Sequence, residues 1–85
     1  MASYNFVFSN EDDLIYYYAG LEYDINNELS MYVPGLVHID KYMQIFAKIQ
    51  EIPILIAQCK RYNMNAGYWR HMEIAHSKFI NALHL

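Results

Sequence analysis

From Leu14 onward, the apolar residues Leu14, Tyr18, Leu21, Ile25, Leu29 and Tyr32 return at intervals of three or four. A helix gathers such residues onto one face, whereas a strand would scatter them over both. Just upstream, Ser9-Asn10 precedes Glu11-Asp12-Asp13. A Ser or Asn side chain there accepts from the unpaired amides of a first turn, and the acids oppose the positive end of the helix dipole. The spacing predicts a helix over residues 11–30, stopped by the turn signal Val33-Pro34-Gly35. Ahead of it, Tyr4, Phe6 and Phe8 alternate with Asn5 and Val7, an extended lead-in over residues 1–9.

A second helix is predicted over residues 37–50. Ile39, Tyr42, Met43, Ile45, Phe46 and Ile49 face one way, and Asp40, Lys41, Gln44, Lys48 and Glu51 the other. Pro53 is expected to end it, because the residue before a proline is pushed out of the α region. The run Ile54-Leu55-Ile56-Ala57 is apolar all round and suits a buried strand or a buried helix. We read a third helix over 53–63, with proline at its first position and Lys60-Arg61 at the negative C-terminal end. Asn63, Asn65 and Gly67 supply a turn. A last helix follows over 68–83, with Tyr68, Met72, Ala75, Phe79 and Leu83 inward. The expected fold is all-α: one domain over 1–85, a compact bundle of about four helices with short loops. The alternative is α+β, with residues 4–8 and 52–59 paired as a two-stranded sheet.

Composition narrows the classes further. Apolar content of 55% with a net charge of only −3 excludes a disordered chain. The apolar excess lies in nine tyrosines, as suited to a contact surface as to a core. No membrane span is expected, since the longest charge-free stretch, 29–39, is interrupted by Ser30, Pro34, Gly35 and His38. The N-terminus shows neither a basic region nor an apolar core of a secretory leader. Together with a single cysteine, Cys59, this leads us to expect a reducing, cytoplasmic setting. Cys59 itself reads as a small buried hydrophobe. A chain of 85 residues buries a small core, and a homodimer is the expected state.

Charge is unevenly divided. Residues 1–40 carry Glu11, Asp12, Asp13, Glu22, Asp24, Glu28 and Asp40 and no Lys or Arg, a net −7. Residues 41–85 carry Lys41, Lys48, Lys60, Arg61, Arg70 and Lys78 against Glu51 and Glu73, a net +4. The halves can complement each other inside one fold, or across a dimer, or meet opposite partners. At about 100° per residue, Tyr16, Tyr23 and Asn27 of the first helix fall opposite its apolar stripe. Gly20 lies beside them, and Asp12, Asp13 and Asp24 surround them. Rigid aromatic anchors framed by carboxylates suit a protein partner with a basic surface. The solvated alternative is tyrosines lying flat on their own surface among solubilising acids.

Asp13-Leu14-Ile15-Tyr16-Tyr17 resembles the tyrosine-acid segment of the nuclease-colicin immunity proteins, small helical proteins that bind and block a basic nuclease domain. The resemblance covers five of 85 residues. In that family the segment lies past mid-chain beside a proline and a glycine. Here it lies near the N-terminus, and the rest of the chain does not follow the family. What it implies is confined to a surface chemistry of tyrosines and acids facing a basic target.

Three further constellations compete. Lys60, Arg61, Trp69 and Arg70, with Tyr62, Tyr68 and His71, interleave cations and aromatics that could hold phosphates and stack bases. Three formal positive charges on an acidic chain are a faint electrostatic footprint for nucleic acid. Glu73-x-x-His76 has di-iron spacing, with His71 nearby, but no second copy accompanies it. His76 falls in the Trp69–Phe79–Ile80 arc and reads as a core histidine, and His84 adds nothing, so no metal or cofactor is expected. There is no Gly-x-Ser-x-Gly, no glycine-rich phosphate loop and no metalloprotease motif. Apolar neighbours should raise the Cys59 pKa, the wrong direction for a nucleophile. The leading expectation is a non-enzymatic binding protein acting through Asp12, Asp13, Tyr16, Tyr23, Asp24 and Asn27, as inhibitor or regulator of a nucleic-acid-handling enzyme. The alternatives are a nucleic-acid-binding regulator and a structural subunit whose tyrosine face self-associates.

Overall fold

The computed structural model describes residues 8–33 and 39–84. The expected lead-in before Phe8 and the Pro34-Gly35 turn lie outside them, as do Val37 and His38. Three helices form: α1 (Glu11–Ser30), α2 (Ile39–Arg61) and α3 (Ala66–Leu83). No strand occurs among the described residues, and 52–59, the candidate for a sheet, lies inside α2. The all-α class therefore holds, with three helices in place of four.

α1 starts as its sequence predicts. Asn10 is the N-cap, and its Oδ1 accepts from the Asp13 amide at 2.9 Å, with Glu11, Asp12 and Asp13 in the first turn. Leu14, Tyr18, Leu21 and Ile25 are buried, and Leu29 and Tyr32 pack partly against the same core.

The departure is α2, which runs through Pro53. A proline in a helix interior loses one backbone hydrogen bond and clashes with the carbonyl four residues back, at a cost of about 3 kcal/mol. Opposing it, Ile45, Ile49, Ile52, Leu55 and Cys59 form a stripe that is fully buried on both sides of the proline. Each fully buried Ile or Leu contributes about 1.5–3 kcal/mol relative to exposure. Breaking the helix at Pro53 would split that stripe, and Pro53 itself stands on the exposed side. Burial wins.

The same stripe sets the rotation of α2, which differs from expectation. Ile39 and Met43, read as core residues, are 61% and 60% exposed. Lys41, Lys48 and Glu51, read as solvent-facing, turn toward α1. Glu28 takes both Lys41 and Lys48, and the Tyr17 hydroxyl donates to Glu51 at 2.5 Å.

α2 ends with two backbone bonds, Asn63 N–H to Lys60 O at 3.2 Å and Met64 N–H to Cys59 O at 3.0 Å. Asn63 adopts φ 56°, the left-handed conformation that this C-terminal motif requires, and Met64 folds back into the core. Asn65 caps α3 by accepting from the Gly67 amide at 2.8 Å, so Gly67 begins a helix and does not prolong a turn.

Cross-helix contacts fix an up–down–up order. Glu28, late in α1, meets Lys41, early in α2; Tyr42 meets His84 at 2.9 Å, and Cys59 Sγ lies 3.9 Å from Met72 Sδ. α1 and α3 then run side by side, tied by Glu22 and His71.

Pro53→Ala restores the missing amide at an exposed position. We expect stabilisation of about 1 kcal/mol or more, read as a rise of several degrees in thermal midpoint. A lower midpoint would show that Pro53 opens a helix of its own.

Candidate functional site

Every residue of the predicted acidic tyrosine face stands on the solvent side of α1. Asp12, Asp13, Asp24 and Asn27 are exposed, and Tyr16 and Tyr23 are 84% and 70% exposed. The geometry follows from the helix period, since Leu14, Tyr18, Leu21 and Ile25 claim the opposite face. Beside Tyr16 the surface is concave. Tyr16, Tyr17, Gly20, Leu21 and Asp24 line a shallow hollow of about 300 Å3.

Gly20 is its floor. A Cβ built there meets nothing within 4 Å, so no neighbour inside the chain requires a glycine. Mid-helix glycine costs about 0.5–1 kcal/mol relative to alanine. Tyr17, which we did not single out from sequence, walls the hollow while its hydroxyl is held by Glu51. The placement of Tyr16, Gly20 and Asp24 on one face was readable. The tether to Glu51 required knowing how α2 is turned.

The charge division resolves into two groups. Glu28 and Glu22 serve the interior of the fold. The Glu28 carboxylate is only 13% exposed and bridges the Lys41 and Lys48 ammoniums, its Lys48 contact being the closer. These lysines, Lys48 foremost, hold its pKa below the ordinary carboxylate value against the opposing effect of burial. Glu22 Oε1 accepts from the Tyr18 hydroxyl at 2.7 Å and lies 2.7 Å from His71 Nε2. Burial, then the bond to Glu22, pushes the Tyr18 phenol well above its ordinary pKa. In contrast, no basic group lies within ion-pair distance of Asp12, Asp13 or Asp24 among the described residues. The face holds three carboxylates that no described basic group neutralises.

The alternative basic set assembles only in part. Lys60 Nζ sits 4.6 Å from the Trp69 ring centre and Arg70 Cζ 5.5 Å from it. Lys60 also reaches Glu73 at 4.0 Å. Arg61 is exposed at the end of α2 and makes no such contact with the indole. Trp69 itself packs partly on the core. Its own cations occupy the space a stacked base would need.

The three residues of the metal-like spacing have separate surroundings. His71 meets Glu22, Glu73 meets Lys60, and His76 is half-buried with Nε2 making no hydrogen bond among the described residues. No group of three or more potential ligands forms among the described residues. Cys59 is fully buried, and burial, followed by the Glu11 charge, raises its thiol pKa. No helix among the described residues is long and apolar enough to cross a membrane.

No protein-family model matches the chain, and neither a curated protein nor a solved structure matches it.

Two stability measurements test this partition. Gly20→Ala should raise stability by about 0.5–1 kcal/mol in calorimetry, because the added methyl enters open space. A loss would mean that Gly20 is needed by the fold itself. Glu28 has a lowered folded-state pKa, so its contribution is present above the unfolded value of 4.5 and fades as pH falls below it. Glu28→Gln should therefore destabilise the protein at neutral pH by about 1 kcal/mol, a modest effect because both lysines are partly solvated. In urea titrations the gap should close in acid; a gap independent of pH would refute the ion-pair account.

Proposed function

We propose that this is a non-enzymatic, cytoplasmic protein-binding module whose α1 outer face docks on a basic surface of another protein. The observation that carries this reading is the pairing of two highly exposed tyrosines with a glycine-floored hollow that the fold does not require. Large apolar rings left in water, beside carboxylates that meet no cation among the described residues, are what a desolvated hot spot with electrostatic steering needs. Tyr16 and Tyr23 supply buried contact area, and the hollow beside Tyr16 admits a side chain from the partner. Asp12, Asp13 and Asp24 attract a basic target, with Asn27 at the rim. The sharper form of the proposal is an inhibitor or regulator of a nucleic-acid-handling enzyme, since such enzymes carry extended basic surfaces.

The test compares baits. Wild type and the double variant Tyr16→Ala/Tyr23→Ala are used in parallel on lysate of the source cell, with and without nuclease treatment. One stoichiometric protein should bind wild type and be lost by the double variant, whose helicity stays intact. Each tyrosine at a hot spot is worth about 2 kcal/mol, or roughly 30-fold in affinity. Capture that survives the double variant, or that vanishes with nuclease, overturns the proposal. The second outcome moves the site to Lys60, Arg61, Trp69 and Arg70.

A further inference from the structure

The hollow beside Tyr16 owes its shape to a missing side chain. Tyr16, Gly20 and Asp24 follow one another at four-residue intervals, with Tyr17 and Leu21 in the next row. Helical side chains lean over the turn that precedes them. The space left open at Gly20 therefore lies against the turn of Tyr16 and Tyr17, and the Asp24 side chain leans toward that space from the following turn. A Cβ built on Gly20 meets no atom within 4 Å, so nothing among the described residues fills it. The lining combines two phenol rings, an apolar base at Gly20 and Leu21, and one carboxylate.

That carboxylate has no cation of its own. Asp24 makes no ion pair among the described residues, and Lys41 and Lys48, which α2 turns toward α1, are held by Glu28. The Tyr17 ring is a preset wall, fixed by the bond of its hydroxyl to Glu51 and by Phe8, 5.7 Å away between ring centres. The groove between α1 and α3 offers a contrast. It has both signs on its walls, Glu22 against His71 and Lys78, and favours neither charge in a ligand.

We infer that the hollow beside Tyr16 receives a single arginine side chain of the basic partner, an inference that rests on the docking role proposed for the α1 face. A guanidinium matches every part of the lining. It is planar and stacks on a tyrosine ring, its fork of N–H donors meets both oxygens of a carboxylate, and its methylene stem lies along apolar surface. A lysine ammonium is a compact, strongly hydrated charge that would use the carboxylate and little of the rings. A neutral apolar side chain would cover Asp24 and leave it unpaired. The volume of about 300 Å3, lined by one helix only, suits one side chain whose backbone stays outside. Gly20 then has a purpose that no contact within the fold supplies, because any side chain there would stand in the arginine's place.

The test is an NMR titration of the isotope-labelled full chain with N-acetyl-glycyl-arginyl-glycinamide. Amide shifts should appear at Tyr16, Tyr17, Gly20, Leu21 and Asp24 and saturate in the millimolar range, as a single contact on an open surface permits. The citrulline tripeptide, of the same shape without the charge, and the lysine tripeptide should each bind at least about fivefold more weakly. Gly20→Gln places a good helix former in the hollow, and Asp24→Asn removes the charge. Both should keep the far-ultraviolet spectrum of wild type and weaken arginine binding about tenfold or more. Absence of shifts at these residues overturns the inference. So does equal binding of the citrulline or lysine tripeptide, or binding that survives Gly20→Gln. The same variant used as bait separates this inference from the docking reading. A partner lost by Tyr16→Ala/Tyr23→Ala but kept by Gly20→Gln removes the arginine pocket and leaves the docking face standing.

Discussion

The architecture depends on one stretch of burial, the stripe Ile45, Ile49, Ile52, Leu55 and Cys59 that continues across Pro53. As two helices meeting at the proline, residues 39–61 would have offered α1 and α3 two short platforms at an angle. As one helix they offer a single continuous surface. Met72 of α3 reaches Cys59 at one end, and Tyr42 reaches His84 at the other. Every later feature follows from that axis, including which α2 residues are left to solvent. The local penalty at Pro53 is tolerated because the residues on either side of it share one core.

Rotation of α2 also decides where charge goes. With the stripe directed inward, the flank carrying Lys41, Lys48 and Glu51 turns toward α1. There Glu28 and Tyr17 meet it. The acidic half and the basic half of the chain are therefore joined inside the fold, though not completely. The acids nearest the start of α1 and at Asp24 remain outside this exchange. The internal match engages Lys41 and Lys48 with Glu28 and leaves Asp12, Asp13 and Asp24 outside any ion pair among the described residues. That imbalance is what gives the proposed docking surface its sign.

α1 was legible residue by residue, because its apolar period, its cap and its first-turn acids all specify the same helix and the same face. The last helix was nearly so: Met72, Ala75, Phe79 and Leu83 are buried where the periodicity puts them, whereas Tyr68, read as inward, is exposed. α2 was not. Reading residues 39–49 alone, the face through Ile39, Met43 and Phe46 is as apolar as the face through Ile45 and Ile49. Only the second half decides between them. Continued past the proline, the first face meets Gln50, Pro53 and Ala57, and the second meets Ile52, Leu55 and Cys59. Ending the helix at Pro53 removed the information that would have fixed its rotation. The members of the candidate site on α1 were readable, whereas the Glu51 tether of Tyr17 depended on that rotation.

The chemistry of the α1 face bears on what it can meet. It mixes tyrosine rings with carboxylates that pair with no cation among the described residues, beside a glycine-floored hollow, and such a surface gains from a partner of opposite charge. Its own negative charge works against a second copy of itself, since an isologous contact would set Asp12, Asp13 and Asp24 against their equivalents. A surface that repels its copy suits a different molecule.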